Sequence, residues 1–316
     1  MLYAGTTSIH SFKYSLLIDI VKKLKQWSKS AGNHQIINLT GTSETLRNEI
    51  TTETIKPITI HNSKHLRPAN DGELGHYLAG LIDGDAHFTS AQQLVIVFNS
   101  LDIQSAYYIR EQIGHGQVRK VKDKNAALMI IASIKGIERV ISLINGKFRT
   151  TLKFDQITNN ILSSTKFIEF SKTITLSLNT SNDLENHWLA GFSDAEGSFQ
   201  IKLIKRNNKT EVRLNYQMDQ KKVYLLDLVI RYLGGNIGYR KSQDSYYYGS
   251  TSFGSAKKVI SYFDRYHMLS TKHINYLKWR KAYVFIQNKD HLTEDCLEKI
   301  SKLKSSMNRL SSSVVI

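Results

Sequence analysis

The chain has 316 residues and a formal net charge of +16 at pH 7, because 43 Lys and Arg outnumber 27 Asp and Glu. This length predicts about two domains, and the charge favours a polyanionic partner such as a nucleic acid. With Cys296 as its single cysteine, the chain excludes an internal disulfide and any zinc site built on several cysteines. No run reaches the roughly 18 apolar residues of a membrane span, so we expect no membrane partner.

Residues 1–70 are predicted to form an N-terminal extension. They combine one short basic amphipathic stretch with polar Ser, Thr and Asn segments, and Pro68 with Asn70 marks a break. After this break, the chain divides into two similar halves, at 71–170 and 187–316 with the C-terminal tail. The segment 171–186, rich in Ser, Thr and Asn, is the predicted linker.

Each half opens with a related motif, YLAGLIDGDAHF at 77–88 and WLAGFSDAEGSF at 188–199. The hydrophobic pattern that follows predicts a helix, two strands, a helix, two strands and a helix in each half. The segment from Asp102 aligns without a gap with the segment from Asp219, and Lys153 and Lys272 each precede a final helix. The sequence therefore predicts an α+β fold of two αββαββα half-domains related by a pseudo-twofold axis.

The two motifs are predicted to be paired helices. Gly80 and Gly84 share one helix face, and Gly191 and Ala195 hold the matching positions. Such small residues allow two helix backbones to approach closely. Parallel packing of the motif helices would bring the carboxylates that end them, Asp85 and Glu196, to one place. Two adjacent carboxylates repel each other, and their oxygens suit a divalent cation such as Mg²⁺.

The strands of both halves are predicted to form a saddle-shaped surface for the major groove of double-stranded DNA. Its candidate contacts are polar or basic side chains on the strand segments. They are Gln92, Gln93, Asn99, Lys202, Lys205, Arg206, Arg213, Asn215 and Gln217.

The two motifs, whose final acids are 111 residues apart, resemble the LAGLIDADG signature of single-chain homing endonucleases. The resemblance covers about 71–290 and implies Mg²⁺-dependent cleavage of long DNA sites that leaves staggered ends. It implies that Asp85 and Glu196 are metal ligands. It also implies that Lys153 and Lys272 lie near the active site, and that Gln220 orients water there.

The first motif departs from this pattern, because Ala86 and His87 stand where the family usually has Gly and a small residue. In the extension, 27–33 and 41–47 resemble segments upstream of this fold in organellar intron-encoded proteins, which implies a mitochondrial protein made inside the organelle. We predict a monomeric DNA endonuclease that mobilises its own intron. An RNA maturase that assists splicing of the host intron is the alternative, and a binding-only protein is a third hypothesis.

Overall fold

The computed structural model describes residues 56–207 and 209–307. Most of the predicted extension, including both segments that resemble intron-encoded proteins, therefore lies outside the described residues. Within the described ranges, no helix combines the length and apolar character that a membrane crossing requires.

The first half begins with a capped helix. The Asn70 side chain accepts a hydrogen bond from the Glu73 amide at 3.0 Å, and the Glu73 carboxylate accepts one from the Ala69 amide at 2.8 Å. This reciprocal pair satisfies amides that would otherwise lack partners and fixes where the helix starts. The elements of this half are α1 (Asp71–Asp85), β1 (Ala86–Phe88), β2 (Leu94–Asn99), α2 (Ile103–Ile113), β3 (Gln117–Lys120), β4 (Ala126–Ile131), α3 (Ile134–Ile144), α4 (Thr151–Ile157) and α5 (Ile168–Thr173).

The second half repeats this order with longer first strands. Its elements are α6 (Trp188–Glu196), β5 (Gly197–Arg206), β6 (Lys209–Gln220), α7 (Tyr224–Leu233), β7 (Asn236–Arg240), β8 (Ser245–Ser250), α8 (Phe253–Phe263), α9 (Lys272–Gln287) and α10 (Glu294–Ser306). The predicted αββαββα repeat is confirmed.

Both halves contain a four-stranded antiparallel sheet with the same topology, β1-β2-β4-β3 and β5-β6-β8-β7. One face of each sheet is buried against helices. Alternating residues of β2, namely Leu94, Ile96 and Phe98, are buried as the sequence predicts, and Leu214 and Tyr216 are buried in β6. The opposite face of each sheet is left open.

Strand pairing corrects the predicted alignment of the two halves. Ala86 pairs with Ile96 and Gly197 pairs with Met218, so Ile96 and Met218 are equivalent. Asp219 consequently corresponds to Val97, and the gap-free alignment of Asp102 with Asp219 is wrong. The helices of the two halves can be aligned in several registers that match similar side chains, whereas the pairing of the strands allows only one alignment of the halves.

Residues 56–70, which we call the strap, have no helix or strand and lie against the second half. The buried Arg280 guanidinium donates to the Thr59 carbonyl oxygen at 2.9 Å and to the Asn62 side chain at 3.1 Å. The Gln287 side chain exchanges two hydrogen bonds with the Ile58 backbone, at 2.8 and 3.0 Å. Together these contacts fix the strap along α9.

Candidate active site between the motif helices

The four small motif residues lie where α1 and α6 contact each other. A methyl group on Gly80 would overlap the Trp188 carbonyl oxygen, and one on Gly191 would overlap the Tyr77 carbonyl oxygen. Gly84 faces the Ala195 side chain in the same way. Because neither backbone can move away without separating the helices, larger side chains are incompatible with this packing.

Asp83 of α1 joins the two halves and positions the loop before α4. Its buried carboxylate accepts hydrogen bonds from the Arg149 amide at 2.7 Å and the Thr150 amide at 3.1 Å. The Trp188 indole N–H of α6 donates to it at 2.9 Å. Burial raises the Asp83 pKa, and these donors act in the opposite direction. The loop held in this way leads directly to Lys153.

Asp194 of α6 has the same role in the other half. Its carboxylate accepts hydrogen bonds from the Leu269 amide and the Tyr77 hydroxyl, both at 2.7 Å. It also accepts a hydrogen bond from the Ser270 hydroxyl. Each motif helix therefore supplies an aromatic donor to the acid of its partner, and this second loop leads to Lys272.

The two lysines contact the ends of the motif helices. The Lys153 ammonium donates to the Ala86 carbonyl oxygen, and the Lys272 ammonium donates to the Ala195 carbonyl oxygen at 2.6 Å. Burial lowers the pKa of both lysines, although Asp85 and Glu196 oppose this by favouring the charged ammonium. Positive charge is therefore held beside both carboxylates.

The carboxylates of Asp85 and Glu196 lie close enough to interact. Desolvation first, and then the charge of Asp85, raise the Glu196 pKa to about 6. A hydrogen bond from the Gln220 side chain favours the ionised form of Glu196. Desolvation also raises the Asp85 pKa, and Lys272 and Lys153 oppose that shift. Two repelling oxygen donors in one place provide the donor set that Mg²⁺ and Ca²⁺ use.

Two clefts open beside these acids, and each brings an acid together with the lysine of the other half. A cleft of about 560 Å³ is lined by Glu196, Lys153 and Gln220, among other residues. A smaller cleft of about 260 Å³ is lined by Asp85 and Lys272. We call them the Glu196 cleft and the Asp85 cleft.

The clefts differ in the residues that the second strand of each sheet contributes. Asp219 and Gln220 line the Glu196 cleft, whereas the equivalent Val97 and Phe98 line the Asp85 cleft. The sequence offered no counterpart of Gln220 in the first half, and the structure places a phenylalanine there.

On the second sheet, the register places most of the predicted DNA contacts together on the open face. Lys202 pairs with Arg213, and Asn215 and Gln217 continue the same face of β6. By alternation, Arg206 shares this face and Lys205 points to the opposite one. Lys202, Arg206, Arg213 and Gln217 therefore form one polar surface, with Lys205 outside it. Asn215 lies on the same side of the sheet but is buried, and its amide donates a hydrogen bond to the Gln217 side chain at 3.3 Å.

The three predicted contacts of the first half are less uniform. Gln93 precedes β2 directly and is in phase with its open face. Gln92 lies in the loop before it and accepts a hydrogen bond from Lys166 at 3.3 Å. The Asn99 side chain accepts a hydrogen bond from the Leu101 amide at 3.0 Å, which caps the turn after β2.

Sequence reasoning missed Asp83 and Asp194 as residues that position the site. The signal was present, because they recur with the same spacing of 111 residues as Asp85 and Glu196. Their partners, Trp188 and Tyr77, also occupy equivalent positions in the two motifs. A repeated acid that ends up buried is the mark of a positioning role.

Residues 189–283 match the family model described as LAGLIDADG endonuclease. The chain is 66% identical over 313 residues to an uncharacterized cox1 intron-2 protein of 37.2 kDa from Schizosaccharomyces pombe, covering 96% of this chain and 95% of that protein. It is 28% identical over 280 residues to the intron-encoded DNA endonuclease aI3 of Saccharomyces cerevisiae, covering 72% of this chain and 68% of the relative.

The fold is also similar to a solved structure, the LAGLIDADG homing endonuclease I-LtrWI bound to target DNA. The TM-score is 0.61 at 20% identity, over 76% of this chain and 99% of the other. The repeated motif, the matched family model and the shared two-sheet architecture agree with one another. This chain belongs to the LAGLIDADG endonuclease family.

Proposed function

We propose that this protein is a site-specific endonuclease that makes a double-strand break in DNA and thereby promotes the mobility of its own intron. The observation that carries the proposal is the meeting of Asp85 and Glu196 at the ends of two packed helices, with Lys153 and Lys272 beside them. The similarity to a protein of a cox1 intron supports a mitochondrial location.

Asp85 and Glu196 would hold the divalent cations, for which we propose Mg²⁺. A cation bound to both carboxylates would offset their mutual repulsion, which contributes to the raised pKa of Glu196. When bound there, Mg²⁺ would lower the pKa of a coordinated water and stabilise the leaving oxygen of a phosphodiester.

The remaining groups act on the same reaction centre. Lys153 and Lys272 place positive charge where a phosphodiester gains negative charge during hydrolysis. Gln220 holds the Glu196 carboxylate and can orient a nearby water through its amide. Water is the nucleophile in this scheme, so no covalent protein intermediate forms.

The open sheet faces would bind the duplex, and the net charge of +16 supplies affinity for phosphate that falls steeply with salt. On the second sheet, Lys202, Arg213 and Gln217 are the proposed base or phosphate contacts, and Asn215 supports Gln217 through a hydrogen bond from its amide. Because one chain supplies both motifs, we propose that it acts as a monomer.

The test is cleavage of a randomised DNA library with Mg²⁺, run beside the Asp85→Asn and Glu196→Gln variants. Wild-type protein should cut a discrete site, and each variant should lose cleavage by more than about 1,000-fold while DNA affinity changes little. Normal cutting by Asp85→Asn would contradict the site assignment. A folded wild-type protein that cuts nothing but binds and splices its intron RNA would establish the maturase alternative.

A further inference from the structure

Three histidines that are distant in sequence meet where the strap crosses the start of α9. His65 comes from the strap, His267 from the loop after α8 and His273 from the first turn of α9. One ring nitrogen of each lies within 4.8 Å of the other two. The ring centroids are 4.5 to 5.3 Å apart. The spacing of these histidines in the sequence gives no sign of the group.

The hydrogen bonds decide which nitrogens carry a lone pair. The His65 Nε2 is 2.8 Å from the Met268 carbonyl oxygen, which only accepts, so this nitrogen carries the proton and Nδ1 is left as a free acceptor. The His273 Nδ1 is buried and has no hydrogen-bond partner. The His65 and His273 rings therefore each have an imidazole lone pair available.

His267 can act as the third ligand only if it gives up its hydrogen bond with the Leu66 amide. Its Nδ1 accepts from the Leu66 amide at 2.8 Å, so its Nε2 carries the proton and faces the Asp264 carbonyl oxygen at 3.1 Å. A metal-ligating imidazole usually donates its other N–H to such a carbonyl, and both His65 and His267 do so. When the metal takes this lone pair, the Leu66 amide, in a residue that is 56% exposed, needs water as its new partner.

We propose that His65, His267 and His273 form a binding site for a divalent transition metal, with Zn²⁺ as the best-suited ion. Imidazole nitrogens suit Zn²⁺, and three protein ligands leave one position for water. With Zn–N bonds of about 2.0–2.1 Å, tetrahedral ligands lie about 3.4 Å apart, so small rotations of the rings would close the site.

Two of the three rings, those of His267 and His273, are also in the right protonation state to bind a cation. Burial, followed by the proximity of His65 and His267, lowers the His273 pKa to about 4. Burial likewise lowers the His267 pKa. At neutral pH both rings are neutral, so a metal would not have to displace their protons.

The bound metal would tie the strap to the second half at a functional position. His273 directly follows Lys272, the lysine beside the Asp85 cleft. Fixing this turn of α9 from outside would hold the Lys272 backbone in place. The site is separate from the proposed cleavage centre, and it can be tested without measuring cleavage.

The test is a calorimetric titration of the full, chelator-treated chain with Zn²⁺, in excess Mg²⁺ so that the carboxylates compete little for Zn²⁺. We expect one Zn²⁺ per chain and a melting temperature that rises by about 5 °C at saturation. Co²⁺ in place of Zn²⁺ should give the visible absorption of a tetrahedral site.

The decisive variant is His65→Gln, whose side-chain amide can still donate to the Met268 carbonyl oxygen but offers no imidazole nitrogen. It should weaken Zn²⁺ binding by about tenfold or more and lose most of the thermal shift. His61→Gln, also an exposed strap histidine, should bind like the wild type. Absence of Zn²⁺ binding by the wild type, or equal binding by His65→Gln, would overturn the proposal and leave the trio as a packing cluster.

Discussion

The open face of the second sheet differs from that of the first in length and in chemistry. β5 and β6 have 10 and 12 residues, whereas β1 and β2 have 3 and 6. The second face presents Lys202 and Arg213 at its centre. The centre of the first face consists of Val95 and Val97, paired with Ile130 and Leu128 of β4, and its polar residues, His87, Gln117 and Arg119, lie on the flanking strands. The two halves are therefore expected to read their DNA half-sites by different contacts.

The two halves also differ in the residues that line their clefts, but they are alike where the two motif helices contact each other. Gln220 has Phe98 as its counterpart, whereas Asp83 and Asp194 have closely similar partners in both halves. Residues that assemble the two helices are thus shared, and residues that face the substrate have diverged. A duplicated fold can change its surfaces while the buried contacts that join its halves stay alike.

The largest expected effect tests the shared part of this comparison. Asp83→Ala or Asp194→Ala leaves several buried donors without an acceptor, so each should lower the free energy of unfolding by about 3–5 kcal/mol. Chemical denaturation followed by circular dichroism measures this loss. The exposed Asp155→Ala on α4 is the control. A cost as small as that of the control, in either half, would contradict the equivalent roles of the two acids.

The second prediction concerns the divergent clefts. Gln220→Leu removes a hydrogen bond to the Glu196 carboxylate. A hydrogen bond to a charged group contributes about 1.5–3 kcal/mol. Its loss should slow cleavage of the DNA strand beside Glu196 by roughly 10- to 100-fold. The other strand should be cut at nearly the normal rate, so nicked plasmid should accumulate. The exposed Gln112→Leu on α2 is the matched control. Equal slowing of both strands would show that the clefts do not act separately.

The sequence predicted most of what the two halves share, but it did not predict how their clefts differ. Two motifs at a fixed spacing predicted the helix pair, the element order and the meeting of Asp85 with Glu196. The equivalence of Phe98 and Gln220 depends on strand register, which arises from pairing between distant segments. The histidine trio was equally hidden, because only the fold brings the strap beside His267 and His273.

The third prediction compares the two open faces on DNA. Single base changes under the centre of the second sheet should each cost about 1–3 kcal/mol of binding, because side chains such as Arg213 and Gln217 can form directional hydrogen bonds with base edges. Changes under the apolar centre of the first sheet should cost less, except where Val95 or Val97 contacts a thymine methyl group. Binding measured across all single substitutions of the target supplies both values. A uniform profile over the two half-sites would refute this difference.

The smallest expected effect tests the desolvation of Glu196 and its repulsion by Asp85. The folded-state pKa of Glu196 is about 6 against an ordinary 4.5, so the folded protein binds the extra proton and loses stability as pH rises from 4.5 to 6. In metal-free buffer at pH 8, Glu196→Gln should therefore melt about 2–4 °C above the wild type. This is less than full burial would give, because solvent screens a partly exposed group.

The gain from Glu196→Gln should disappear at pH 4.5, where folded Glu196 is already protonated. Asp85→Asn removes the second cause of the raised Glu196 pKa and should give a smaller gain of the same sign. The exposed Glu111→Gln should change nothing at either pH. If neither Glu196→Gln nor Asp85→Asn were more stable than the wild type at pH 8, the carboxylates would not repel each other, and the strongest argument for a cation between the motif helices would be lost.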